Sequence, residues 1–235
     1  MTINHLISVD GVDGVGKTTF INELKKHCAA YCYDKFGLNV GVAIVSPIRP
    51  LEGAVNYESA KTLYEAYDFL DSIKLTSKET LDAYMALANA AALVAAQSVE
   101  RSFPGFDRVL TLFDRSFFSY WVCQRRGDLA DADLPHFYDC NIVLTDSAQA
   151  IAKRVAERRR TDDELFPDER DVDRLGFAQY TFDYLANRKK KACSESVFFV
   201  RFDGLGDAAS ASEKCAAKAK EFLDFFVGNL ENYYN

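Results

Sequence analysis

The stretch Gly11-Val12-Asp13-Gly14-Val15-Gly16-Lys17-Thr18 has the spacing G-x-x-x-x-G-K-[ST], and each residue type in it has a task toward an anion. Glycines let successive backbone N–H groups turn toward one point. A helix opening near Lys17 aims its positive end at the same place. The Lys17 ammonium can reach the outer phosphates of a nucleotide, and the Thr18 hydroxyl can ligate Mg2+. The run follows a short apolar segment and precedes a helical one, which is the context such a loop needs. Residues Gly11, Gly14, Val15, Gly16, Lys17, Thr18 and Thr19 are therefore expected to hold a nucleoside triphosphate.

Two further clusters have types suited to phosphate chemistry. Asp114-Arg115-Ser116 follows the apolar run Arg108–Phe113. A carboxylate at a strand end beside a phosphate loop can hold Mg2+ through water, and an arginine offers a planar fork to a second phosphate. The third cluster is KRVAERRRTDDELFPDE, from Lys153 to Glu169. Arg154 and Arg158 are four apart and share a helical face. Arg158, Arg159 and Arg160 then run into a polar stretch. Phosphoryl transfer spreads negative charge over the group in flight, and arginines on a closing segment would neutralise it. The plain alternative is a solvated charge run at a helix end. Positioning and charge neutralisation suffice for this chemistry, which suits a chain whose three histidines, His5, His27 and His136, lie outside every cluster.

These residues need a frame that brings strand ends together. Short apolar runs at His5–Val9, Asn39–Val45, Arg108–Phe113, Asn141–Leu144 and Val197–Phe202 read as strands. Helical stretches separate them: Lys17 to about Ala30, the Ala-rich Leu81–Arg101, and a last helix over Ser212–Phe226. Leu81–Arg101 is apolar on most faces and is expected to be buried. Strands joined by crossover-length helices predict an α/β fold, a five-stranded, mainly parallel sheet with helices on both faces. Ligands in such sheets sit at the carboxyl ends of the strands, where all three clusters fall.

Composition removes other classes. Of 235 residues, 49% are hydrophobic and 27% charged, an ordinary globular balance that excludes a disordered or collagen-like chain. With 28 Lys+Arg against 35 Asp+Glu the net charge is −7, which disfavours a nucleic-acid partner. The six cysteines, Cys28, Cys32, Cys123, Cys140, Cys193 and Cys215, form no C-x-x-C pair and have no companion histidines, so they read as reduced packing residues. No apolar run approaches a membrane span, and the N-terminus lacks a signal-peptide pattern. A soluble, cytoplasmic, one-domain protein over residues 1–235 is the expectation.

The string VDGVDGVGKTT closely resembles the phosphate loop of thymidylate kinases, E/D-G-x-D-G-x-G-K-[ST]-T, with Asp10 where the family usually has Glu. The spacing of Asp114-Arg115, Ser119 and Gln124 resembles the same family's D-R-x-x-x-S-x-x-x-x-Q segment. The resemblance implies a P-loop nucleotide-kinase fold with a short lid at about 154–169, and transfer of the ATP γ-phosphoryl to a deoxynucleoside monophosphate, dTMP or a modified pyrimidine analogue, with Mg2+. It places Asp13 near the acceptor sugar and the metal, Thr18 and Asp114 on the metal, and Lys17, Arg115 and Arg158–Arg160 in catalysis. Val15 stands where some members carry a loop arginine, so this chain would keep its catalytic arginines in the lid. On the acceptor side the chain departs from the family. Arg49, in Ser46-Pro47-Ile48-Arg49-Pro50, stands in for the R-E-P arginine, Asn89 is the polar candidate where an arginine usually packs on thymine, and Cys123 replaces a tyrosine. Arg49, Asn89, Arg115, Ser119, Gln124 and Asp13 are thus the expected acceptor residues. The resemblance also implies a homodimer through the helices after the second and third strands. A deoxynucleoside kinase, a kinase of a hydroxymethylated pyrimidine and a P-loop ATPase switch are the alternatives.

Overall fold

The computed structural model describes residues 2–47, 49–75, 77–116, 119, 138–158, 172–193 and 196–233. Five strands form one sheet: β1 (Ile3–Asp10), β2 (Val40–Val45), β3 (Arg108–Asp114), β4 (Cys140–Thr145) and β5 (Ser196–Arg201). Their order is β2-β3-β1-β4-β5, and every pairing is parallel. Strand β1 is therefore central, with β3 on one side and β4 on the other. The register sets Val9 opposite Asp114 and Asp10 opposite Val143, so the three strands end within three residues of one another. The order reverses beside β1, and a crevice opens at such a switch point.

Six helices are described: α1 (Lys17–Phe36), α2 (Tyr57–Ser72), α3 (Lys78–Ser102), α4 (Ala148–Arg158), α5 (Val172–Cys193) and α6 (Ala208–Tyr233). Period-two alternation distributes them over both faces. Leu110 and Leu112 of β3 enter the main core with Phe20, Ile21 and Leu24 of α1 and Phe222 and Leu223 of α6. Val109 and Phe113 point the other way, against Val99, Ala92 and Ala96 of α3. Each strand expected from the sequence is present, shifted by no more than two residues at an end.

Three helices differ from expectation. Helix α6 begins four residues before and ends seven residues after the expected Ser212–Phe226. Helix α1 continues past Ala30 to Phe36, because Cys28 and Cys32 keep its inner face in the core and Tyr31 and Lys35 bond to Asp224 of α6 at 2.9 and 2.6 Å. Gly37 then ends it in a left-handed conformation. Helix α3 is not buried on most faces. Met85, Ala88, Asn89, Ala92, Ala96 and Val99 are buried, whereas Leu87 is 56% and Val94 68% exposed. Alanine favours helix whether or not it is covered, so an Ala-rich run specifies the helix without specifying burial. Cys28, Cys32, Cys140 and Cys215 are free and buried. No described helix is long and apolar enough to cross a membrane.

Candidate functional site

The loop joining β1 to α1 turns where three neighbouring segments press on it. At Gly11, φ is +149° and a Cβ would lie 2.6 Å from the Leu144 carbonyl oxygen at the end of β4. At Gly14, φ is +79° and a Cβ would lie 2.6 Å from Val155 of α4. Any side chain at either position would force the loop off its path. Val15 is wholly buried in the main core, so position 15 contributes backbone to the site and nothing else. Gly16 caps α1, Thr18 is exposed in the first helical turn, and Thr19 is half-buried beside it. The buried Lys17 ammonium donates to the Gly11 and Val12 carbonyls at 2.7 and 2.9 Å and lies 3.7 Å from Asp13.

The end of β3 faces this loop. Asp114 is half-buried, but its Oδ1 is out of water and has no hydrogen-bond partner among the described residues. Burial pushes its carboxyl above the usual carboxylate range, while the charges of Lys17 and Arg115 pull it down. Arg115 holds a left-handed backbone, φ 70°, and its guanidinium donates to Asp13. Lys17, Asp13, Asp114 and Arg115 thus converge from β1, its loop and β3. Ser119 is buried, and its hydroxyl donates to Asp10 at 2.6 Å. That partner differs from the acceptor contact expected of it.

An unpartnered buried carboxylate oxygen beside a phosphate loop fits a hard cation. Asp114, Asp13 and the Thr18 hydroxyl are all oxygen donors, the set Mg2+ prefers. Among the described residues no group of three or more His, Cys, Asp or Glu could enclose a metal. The donors therefore suit an ion that keeps waters and phosphate oxygens in its shell.

The other expected residues are spread more widely. Arg49 is exposed on the segment between β2 and α2, close enough to Tyr84 of α3 for its charge to act on that hydroxyl, which burial pushes up to about 12. Asn56 closes this segment, accepting from Ser46 N–H at 2.9 Å and donating to Ser46 O at 2.8 Å. Asn89 is buried in α3 and donates to the Met85 carbonyl at 2.7 Å. Ala92 packs against Val45 and Phe113 at the strand ends, and Asn89 lies about one turn before it on α3. Arg158 is the last residue of α4, while Gln124, Arg159, Arg160 and most of the expected lid lie outside the described residues.

Asp146 escaped the sequence reading, and Arg154 entered it only as part of the arginine run. Arg154 turns back to the loop, its Nε donating to the Gly14 carbonyl at 2.9 Å. Its Nη1 meets Asp146, whose side chain is fully buried, at 2.8 Å. Asp146 also accepts from the Gly204 N–H at 2.9 Å, tying the segment after β5 to the same point. The available signal was position: Asp146 is the first residue after β4, at the edge where ligand sites form.

No protein-family model matches the chain, and no curated protein matches it. Among solved structures it is similar to thymidylate kinase from Ehrlichia chaffeensis, at 14% identity and a TM-score of 0.53, over 94% of this chain and 99% of that one. The five-stranded parallel α/β architecture is the fold of that structure.

The Asp114 environment makes a prediction with a definite sign. A carboxyl whose folded pKa is raised destabilises the fold at pH values above that pKa and ceases to do so once protonated. In metal-free buffer Asp114→Asn should raise the melting temperature at pH 7, with the gain shrinking as pH falls toward the unfolded carboxylate range. Thermal unfolding with EDTA from pH 4 to 8 checks it. A lower melting temperature at pH 7 would contradict the buried-charge reading.

Proposed function

We propose that this protein is a Mg2+-dependent kinase that transfers the γ-phosphoryl group of ATP to a deoxynucleoside monophosphate, dTMP or a modified pyrimidine relative. The observation that carries the proposal is the convergence of Lys17, Asp13, Asp114 and Arg115 at the ends of β1 and β3, on a fold shared with a solved thymidylate kinase. The loop amides and Lys17 hold the donor phosphates. Thr18 and Asp114 hold the metal, which when bound offsets phosphate charge. Arg115 leaves Asp13 for the acceptor phosphate, supported by Arg49, and Asp13 is freed toward the acceptor sugar. Arg158, Arg159 and Arg160 close over the transferring group in the lid. Asn89, Ser119 and Gln124 border the acceptor in this reading. Transfer then needs alignment and charge neutralisation more than covalent help.

One observation favours a second reading, in which the acceptor is a nucleoside or a hydroxymethylated pyrimidine. Arg115 is already neutralised by Asp13, as it could remain if no acceptor phosphate arrived. ADP production from MgATP against dTMP, dUMP, 5-hydroxymethyl-dUMP, the other monophosphates and the matching nucleosides separates the two. A pyrimidine monophosphate should give the fastest turnover, and Lys17→Met should lower kcat by about 10²-fold or more without unfolding the protein. Turnover with nucleosides alone would move Arg115 out of the acceptor site. Silence with ATP still bound would favour a switch, and full activity of Lys17→Met would end the kinase reading.

Pairing of two copies through the helices after β2 belongs to the same proposal; the helix expected after β3 lies outside the described residues. Leu87 and Val94, seven apart on α3, expose apolar side chains on one helical face. Sedimentation should show a dimer, and Leu87→Glu/Val94→Glu should give a folded monomer. A monomeric wild type would remove the pairing.

A further inference from the structure

Asp10 is the last residue of β1, fully buried, and has no place among the donor, acceptor or metal contacts above. Its carboxylate is nonetheless surrounded by donors. The Ser116 N–H reaches Oδ1 at 3.0 Å, the Ser116 hydroxyl lies 2.9 Å from each oxygen, and the Ser119 hydroxyl reaches Oδ1 at 2.6 Å. Burying a carboxylate is unfavourable, and an apolar residue would join the end of β1 to its loop at lower cost. What the carboxylate adds is a set of directional bonds, and all of them go to the segment after β3.

That segment holds an unfavourable backbone. Arg115, not a glycine, has φ 70°, where Cβ crowds the following carbonyl. It is held on both sides: its own N–H donates to the Val9 carbonyl at 3.2 Å, and the next residue, Ser116, is bound to Asp10. The conformation sends the Arg115 guanidinium onto Asp13, three residues after Asp10 in the loop. The Ser119 N–H donates to the Ser116 carbonyl at 3.1 Å within the same segment, so Asp10 anchors a closed turn and not a single residue. With that anchor lost the backbone would relax toward the right-handed region and the guanidinium would leave the loop.

We infer that Asp10 is a positioning residue: through Ser116 and Ser119 it locks the left-handed Arg115 turn and so sets where the arginine of the site can reach. Its consequence for turnover rests on the kinase reading; its structural content does not. Ser119, expected at the acceptor, acts one step behind it.

The test compares Ser119→Ala, Ser119→Thr and Ser116→Ala/Ser119→Ala, each also in an Arg115→Ala background. With the pyrimidine monophosphate found above, Ser119→Ala should lower kcat/KM for the acceptor about tenfold or more, leave KM for ATP within about twofold, and be rescued by Ser119→Thr. In the Arg115→Ala background the serine change should have almost no further effect, because it acts through an arginine already gone. Undiminished loss there, or wild-type kinetics of Ser119→Ala, would overturn the inference. Crystal structures read it without turnover. Arg115 should leave its left-handed conformation in Asp10→Ala, which also removes the acceptor of the Ser116 N–H that the serine variants keep, and an unmoved Arg115–Asp13 pair there would overturn the inference whatever the acceptor is. A wild type inactive toward every acceptor would instead end the kinase reading while leaving this structural test in force. Should the alanine variants not fold, Asp10→Asn, an isostere, carries both readouts.

Discussion

Everything in this site depends on keeping a short stretch of backbone, Gly11 to Thr18, in one shape. An anion cradle made of N–H groups works only if the chain cannot relax around it, because relaxation would lose the alignment of several dipoles at once. The immobilisation comes from three directions. The Leu144 carbonyl at the end of β4 leaves no room at Gly11, Val155 of α4 leaves none at Gly14, and Leu205 after β5 leaves none at Gly16. Arg154 adds a bond to the Gly14 carbonyl and is itself set by Asp146. The sheet thus serves the loop by bringing the ends of β1 and β4 and the segment after β5 to the same edge.

The second constraint is charge confined to little space. Lys17 and Arg115 are set against Asp10, Asp13 and Asp114, with Asp10 and Lys17 almost wholly out of water. The two cations are met within the chain, Lys17 by loop carbonyls and Arg115 by Asp13. Asp114 feels both charges, but its Oδ1 has no hydrogen-bond partner among the described residues, which leaves one carboxylate oxygen for a ligand to meet. A site with internally paired cations and one such carboxylate oxygen is suited to a ligand that brings phosphate and metal together. Either charge alone would upset the balance, since phosphate without the cation meets Asp114, and the cation without phosphate leaves Lys17 and Arg115 on their internal partners.

How much of this was legible in the sequence follows from the range of each interaction. The loop, its helix and the strand ends are local patterns: glycine spacing, an apolar run before it, Asp-Arg after the third run. Those readings place Lys17, Asp13, Asp114 and Arg115 together without structural help. What was hidden spans distance. Ser119 is 109 positions from the carboxylate it binds, and Arg154 is 140 from Gly14. No short-range periodicity reports such pairings, so Ser119 read as an acceptor residue and Arg154 as part of the arginine run. The exposed side of α3 was hidden differently: alanine reports helix strongly and burial weakly, so Leu87 and Val94 gave no sign of facing outward.

The most direct single measurement is a crystal structure of the protein with ADP, Mg2+ and dTMP. The result expected is the ADP β-phosphate within the Gly11–Thr18 loop, the metal within reach of Asp114 and Thr18, and the dTMP phosphate on Arg115, freed from Asp13. Nucleotide phosphates bound away from the loop, or dTMP bound with Arg115 still held on Asp13, would contradict the assignment of these residues to donor, metal and acceptor.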